Sequence, residues 1–420
     1  MAALLILLVT QPGSYSYAVE PYMSAVELLT AFSGESAAQY DSIFEFTDDA
    51  RIVSVDIHAV GMHNTTAIYS GQEGPWHEVN NILRIKTADG FEGVSGVDTY
   101  YQGDFSDGHL LELKSVAADL GVIQSLDPVA VSRTFDRTHP GLSNEARASI
   151  DIALWDLAAR KAGVPLHELL GANRNSIDTY ASLPFYESLP EYIDAVNEYA
   201  ALGYTAFKFH VWGTIEEDIR LIELVQRTFE DSGYLFMVDL ESMYDIEDAL
   251  RLGRQMEAGL FVWFEAPVND ELLAQYAEIR DALELTIIPA GYNVYSPEFI
   301  RQGIEVGAWD MGRFDSTVVG GISKAINLLT IANDADLTID IQSWGHSLAQ
   351  AANLHLMLAN ERTRYFEAPM PKQVFEFGME NGNLLDQGRV LAPDGPGLGI
   401  RVDWDRLATA DFYVESKKEY

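Results

Sequence analysis

The chain is predicted to be an α/β protein whose larger part is a (β/α)8 barrel, on three observations. From residue 176 onward, short runs rich in β-forming residues alternate with amphipathic helical patterns, the texture of a parallel sheet with crossover helices. There are eight such runs: "IDTYASL", "TAFKFHV", "LFMVDLE", "FVWFEAP", "TIIPAGY", "MGRFDS", "TIDIQSW" and "RYFEAP". Eight strand-helix units over roughly 200 residues suit closure into a barrel, whose active site lies at the C-terminal ends of the strands. Polar residues also recur at those ends: His210, Asp239, Glu265, Tyr292 or Asn293, Asp315, His346 and Glu367, successive members lying 21 to 31 residues apart. That interval is about one strand-helix unit, so a barrel gathers them around one mouth. An open doubly wound sheet is the alternative.

Taken in order, residues 1–50 are an N-terminal extension. It opens "MAALLILLVTQPGSYSYAVE", a short apolar run followed by a Ser16 to Ala18 pair resembling a small-residue cleavage site, with no Lys or Arg before the run. A cytoplasmic protein is expected, or an exported one if residues 1–18 are a signal peptide. No apolar run approaches the ~20 residues of a spanning helix, so a soluble protein is expected. Residues 51–175 form a second domain. "RIVSVDIHAVGM" and "NILRIKTADGFEGVSGV" read as antiparallel strands with a hairpin turn at Asp89 and Gly90. Between them "HNTTAIYSGQEGPWHEV" suits a mobile loop, where His63, Trp76 and His77 either touch a ligand or are exposed without a role. "SNEARASIDIALWDLAARKAGVP" is a helix: Ile150, Ala153, Leu154, Leu157 and Ala158 share a face, Ser143 caps it, and Gly163 then Pro165 stop it. Trp155 and Asp156 there read as packing and surface groups. The barrel occupies 176–385, with "IEEDIRLIELVQRTF", "DIEDALRLGRQME", "NDELLAQYAEIRDAL" and "ISKAINLLTIANDA" among its helices. Residues 386–420 form a C-terminal segment. Its "GPGLGI" opens no helix and lacks a following acid, so it reads as a turn into a strand and not a dinucleotide loop.

Composition narrows the function. With 48% hydrophobic residues in 420, the chain can build a sizeable core. Against 64 Asp and Glu stand 27 Lys and Arg, a formal net charge of −37, which repels nucleic-acid phosphate and anionic lipid. There is no cysteine, which excludes disulfides, thiolate chemistry and Cys-built zinc sites. There is no G-x-S-x-G elbow, and His77-Glu78 lacks the second His of a zinc protease.

The stretch "AFKFHVWG" sets Lys208 and His210 on one face of a strand and Phe207 and Phe209 on the other. Burying the first pair without partners is costly. Asp239 and Glu265, in two apolar strands, need a cation. Hard oxygen ligands without Cys point to magnesium, and the alternative is that each acid pairs with a basic side chain such as Lys208. The flanking histidines favour the metal. A carboxylate on one nitrogen of His346 would fix its tautomer and make it a general base or acid, and Asp315, one strand earlier, is the candidate partner.

Together these residues resemble a known family. "ALWDLAARKAGVPLHELLGANRN" resembles the end of the capping domain of the enolase superfamily, and "KFH", "VDLE", "WFEAP", "RFDSTVVGGIS" and "SWGHS" follow in the order of its mandelate racemase subgroup. The resemblance runs from about residue 51. It implies a modified TIM-type (β/α)7β barrel under an α+β capping domain, with "GLGIRVDWD" returning to the cap. It also implies Mg²⁺-dependent abstraction of the proton α to a carboxylate. Asp239 and Glu265 match the first two metal ligands, His210 the base, Lys208 the group that meets the substrate carboxylate, and Asp315 with His346 the dyad on the other face. Glu380, in "FGMENG", matches a late substrate-binding acid, and Trp76, His77, Glu241, Tyr292 and Glu367 are further substrate-binding candidates. One departure stands out. Where the family has a third ligand in "GEN", this chain has Gly291, Tyr292 and Asn293, leaving Asn293 as the third metal candidate and removing one negative charge, which should weaken magnesium binding. Glu241 also stands where Asn is common.

The leading expectation is an acid-sugar dehydratase. The runner-up is a racemase or epimerase of an α-hydroxy or related carboxylate, and a third reading is a metal-deficient binding protein on the same fold. The implied partners are a small carboxylate substrate and a second copy of the chain in a homo-oligomer.

Overall fold

The computed structural model describes residues 24–33, 43–44, 47–64, 76–98, 108–172, 174–257, 259–291, 296–383 and 385–420. The leader to residue 23, most of the loop after residue 64, and Tyr292 and Asn293 lie outside them.

The first sheet forms as the alternation predicts. Strands β1 (Ile52–Asn64), β2 (Trp76–Thr87) and β3 (Glu92–Asp98) pair antiparallel in chain order. Gly90, at φ +89, makes the turn between β2 and β3, its N–H donating to Thr87 O at 3.0 Å. Trp76 and His77, expected in the loop, belong to the backbone of β2 opposite Asn64 and His63; their side chains, and that of His63, lie outside the described set. The helix Asn144–Ala162 packs across this sheet. Ser143 Oγ accepts the Ala146 N–H at 3.1 Å and Gly163 ends the helix at φ +72. The helix is buried on nearly every face because the sheet covers one side and the barrel helix Ile322–Asp334 approaches the other, where Trp155 Nε1 donates to Ser323 Oγ at 3.0 Å. Asp156, expected at the surface, is fully buried. Its oxygens accept from Val94 N at 2.8 Å, Leu398 N at 2.6 Å and Arg160 Nε at 2.7 Å, so it ties the helix to β3 and to the C-terminal segment.

Eight parallel strands follow: β4 (Ser176–Leu183), β5 (Ala206–His210), β6 (Leu235–Asp239), β7 (Phe261–Glu265), β8 (Thr286–Ile288), β9 (Met311–Phe314), β10 (Thr338–Ile341) and β11 (Tyr365–Pro369). Each falls within its predicted run, except that β4 begins one residue earlier, at Ser176. β4 to β8 pair in chain order, β9 pairs with β10, and β11 returns to β4. Two joints carry no regular ladder. Between β8 and β9, Asp310 N donates to Ile287 O at 3.1 Å and Ile287 N to Asp310 Oδ2 at 2.9 Å. Between β10 and β11, Ser343 Oγ donates to Glu367 O at 2.8 Å and accepts from Glu367 N at 3.0 Å. Sequence neighbours are thus spatial neighbours around a ring, a TIM-type barrel and not a doubly wound sheet. A helix of ten or more residues lies between each strand and the next, while β11 is followed by the short helix Lys372–Phe375, which gives the (β/α)7β pattern.

The C-terminal segment returns to the first sheet. Leu166 N donates to Gly397 O at 2.8 Å, and β14 (Phe412–Glu419), which follows the short β12 (Leu385–Asp386) and β13 (Arg389–Leu391), pairs antiparallel with β1. "GPGLGI" is a turn at Gly397 (φ +74) and Gly399 (φ +70), but it leads to an isolated bridge at Val402 and the short helix Trp404–Leu407 before any strand. No helix among the described residues is long and apolar enough to cross a membrane.

Candidate active site

Strand register assembles the site. His210, Asp239 and Glu265 are the last residues of β5, β6 and β7, with His210 paired to Asp239 and Asp239 to Glu265, so all three emerge at one level on adjacent strands. Phe207 and Phe209 face the helices, where their rings stack on Phe236 at 5.8 and 5.5 Å. Strand alternation therefore turns Lys208 and His210 inward. The chain breaks sharply beyond the carboxylates: Glu241, Ser242 and Ala266 take φ of +44, +60 and +48. Such left-handed residues persist only where surroundings hold them. Here Glu241 N donates to Asp239 Oδ1 at 2.9 Å, Ser242 N to Ala266 O at 2.9 Å and Leu240 N to Glu265 O at 3.0 Å.

Inside the barrel, Lys208 is 1% exposed and meets three carboxylates. Its Nζ lies 3.0 Å from both oxygens of Glu265, 2.8 Å from Glu367 Oε1 and 3.4 Å from Asp239 Oδ2. Fully buried Arg313 continues the cluster, with Nη2 at 2.7 Å from Glu367 Oε2 and 3.1 Å from Glu265 Oε1, and Nη1 on Asp340 Oδ2. Burial alone would lower the Lys208 ammonium, but Glu265 and Glu367 outweigh it and the net shift is upward. Burial raises Glu367, yet Lys208 and Arg313 bring it down to about 2. Burial pushes Glu265 well above the ordinary carboxylate range despite Arg313, and raises Asp340 to about 6.

The charge count explains the split: four buried carboxylates, Asp239, Glu265, Asp340 and Glu367, share two fixed cations, Lys208 and Arg313. The formal excess of two negative charges is what burial holds toward the protonated form, chiefly at Glu265, and these oxygens are hard donors of the kind a divalent ion of the magnesium class takes. The acids pair with Lys208, as the second of the two sequence alternatives has it. Among the described residues no group of three or more His, Asp or Glu is placed so that it could hold a metal ion. Asn293, the third candidate, lies just beyond Gly291, and the chain there is held by buried Asp270, which accepts from Ala290 N at 2.9 Å and Gly291 N at 3.2 Å.

His210 Nδ1 donates to the Leu183 carbonyl at 2.7 Å, and a carbonyl only accepts, so Nε2 is the exchanging nitrogen. It points to Asp239 Oδ2 at 3.5 Å and Glu241 Oε1 at 3.7 Å. Burial lowers this imidazole, but Asp239 and Glu241 outweigh it and the shift is upward. Glu241, at the rim with its side chain 27% exposed, is raised by burial to about 7.

His346 follows β10 by five residues and immediately precedes the helix Ser347–Ala359. The expected dyad with Asp315 gives way to another partner: His346 Nδ1 is bonded to Asp98 Oδ1, and its main-chain N–H donates to Asp98 Oδ2 at 2.8 Å. Asp315 Oδ1 instead caps the helix Ser316–Val319, accepting from Thr317 N at 2.7 Å, Thr317 Oγ1 at 2.8 Å and Asn353 Nδ2 at 2.8 Å. Glu380, expected to bind substrate, is exposed and paired with Arg401 Nε at 3.0 Å. Arg313, Asp340 and Asp98 were missed. "MGRFDS" and "TIDIQSW" did show a charge within each apolar strand, the same signal that exposed Lys208; Asp98 lies in another sheet and left none.

Two family models match the chain: "Enolase C-terminal domain-like" over residues 191–406 and "Mandelate racemase / muconate lactonizing enzyme, N-terminal domain" over residues 75–171. The L-talarate/galactarate dehydratase of Salmonella typhimurium is 30% identical over 367 residues, 82% of this chain and 87% of that protein. An L-Lys-D/L-Arg epimerase of Methylococcus capsulatus is 28% identical over 357 residues, 77% of this chain and 91% of that protein. A solved structure from Pseudovibrio sp., described as a mandelate racemase/muconate lactonizing enzyme, superposes with a TM-score of 0.84 at 32% identity, over 89% of this chain and all of that one.

Proposed function

The chain belongs to the mandelate racemase/muconate lactonizing enzyme family of the enolase superfamily, and on that premise we propose that it is a metal-dependent lyase that eliminates water from a sugar acid. The observation that carries the reading is the level at which β5, β6 and β7 end: a base with a fixed tautomer beside two carboxylates in register. His210 Nε2 takes the proton α to the substrate carboxylate. Lys208, buried and cationic, supplies positive charge where negative charge develops. His346 delivers a proton to the departing β-hydroxyl. Asp239, Glu265 and Asn293 would hold a magnesium ion, which would supply Lewis-acid stabilisation of developing negative charge. The Salmonella dehydratase, a relative over most of the chain, supports this substrate class.

Two imidazoles at the same end of the barrel also suit epimerisation, in which one removes a proton and the other returns it, and the epimerase relative favours this as the second reading. A panel of acid sugars incubated with Mg²⁺ in D₂O separates the two. Dehydration yields a 2-keto-3-deoxy acid, whereas epimerisation leaves the mass unchanged apart from deuterium. On the substrate so found, His346→Asn should cut turnover by roughly 100-fold or more. No keto acid, no exchange and no Mg²⁺ uptake across the panel would make the protein a binder.

A further inference from the structure

We propose that Asp98, carried by the first sheet and not by the barrel, is a positioning residue that holds His346 with its proton on Nδ1 and so presents Nε2 to the substrate. The inference rests on His346 acting as the acid or base proposed above. Asp98 ends β3, is fully buried, and grips one residue 248 positions away in two places: Oδ2 takes the main-chain N–H at 2.8 Å and Oδ1 takes ring Nδ1. A carboxylate has no proton to give, so Nδ1 must donate and Nε2 becomes the exchanging nitrogen. Grip at two points fixes both ring direction and backbone.

The neighbouring residues are shaped around this contact. Gly345 stands at φ +125, and a Cβ there would lie 2.1 Å from Asp98 Oδ2, so any side chain in "SWGHS" at that position would expel the carboxylate. Gly96 lets β3 approach the same helix, since a Cβ there would come within 2.8 Å of Leu348 Cβ. Asp98 also sits at the N-terminus of the 13-residue helix Ser347–Ala359, where negative charge is favoured. Asp315 has its Oδ1 on Thr317 and Asn353, which leaves the first sheet to supply the orienting carboxylate.

The test reads the tautomer directly. Protein labelled with ring-¹⁵N histidine is examined by long-range ¹H–¹⁵N correlation at about pH 8, where an ordinary imidazole is neutral, and His346 is assigned by its loss in His346→Gln. The wild type should carry the proton on Nδ1. In Asp98→Asn the amide oxygen can keep the main-chain N–H while its NH₂ turns to Nδ1, so the proton should move to Nε2. On any acid sugar the wild type turns over, kcat should fall by ~100-fold or more with KM changed less than ~3-fold. A wild-type ring protonated on Nε2, or His346 signals untouched by Asp98→Asn, overturns the proposal. The remaining histidine signals report whether the variant is folded; if it is not, the wild-type spectrum decides. A tautomer that moves as expected in a protein that turns over no sugar acid would sink the lyase reading alone.

Discussion

Two ring nitrogens decide what His210 can do. Because the Leu183 carbonyl takes Nδ1–H, Nε2 is the nitrogen that exchanges a proton, and Asp239 and Glu241 beside it raise its basicity. Lys208 has a double duty. It brings positive charge to the site, and it keeps buried Glu265, Glu367 and Asp239 from facing one another unshielded. Removing one partner of a buried ion cluster leaves its counter-charges stranded. Lys208→Met is therefore expected to destabilise the fold by about 3–5 kcal/mol, measured as a lower urea midpoint at neutral pH. A midpoint within error of wild type would mean that the three carboxylates take up protons or ions readily enough to do without the lysine.

Elements matter through where they end. β5, β6 and β7 stop at one level, and the left-handed residues beyond β6 and β7 turn the chain there, with Glu241 N held on Asp239 Oδ1. The helix Asn144–Ala162 plays the complementary part as the beam between sheet and barrel, carrying Asp151 to Ser323 and Asp156 to Val94 and Leu398. Its N-terminus is held by one hydroxyl. Ser143→Ala leaves the Ala146 N–H without its acceptor and should cost about 1 kcal/mol, seen as a small fall in the denaturation midpoint with an unchanged slope. A larger loss with a changed slope would show that the beam is also needed for two-state unfolding.

At the scale of the molecule, the first sheet with its helix and the barrel are joined at several points, among them Asp98 to His346, Trp155 to Ser323 and Asp151 to Ser323. Packing around the first sheet also buries titratable groups, with consequences for acid stability. His109, beside Ser149 Oγ at 3.2 Å, is pushed by burial from an ordinary 6.5 down to about 4. The unfolded chain then takes up this proton first, so the stabilisation is intact above pH 6.5 and is lost as pH falls through 4. Relative to His109→Gln, the wild type should lose about 2 kcal/mol between pH 7 and pH 5, read from urea curves at the two values. A constant difference would mean that the ring is solvated or charged in the folded state.

What the sequence by itself determined is what depends on neighbours along the chain. The eight strands, the hairpin at Gly90 and the capped helix from Asn144 follow from periodicity and turn chemistry, and Lys208, His210, Asp239 and Glu265 were legible because strand alternation and unit spacing convert directly into a common level and face. The burial of Asp156, the cluster of Arg313, Asp340 and Glu367 around Lys208, and the choice of Asp98 over Asp315 as partner of His346 were settled only by tertiary structure. A carboxylate accepts from whichever donor packing brings within about 3 Å, and no local pattern in either segment encodes that β3 lands on the residue after Gly345.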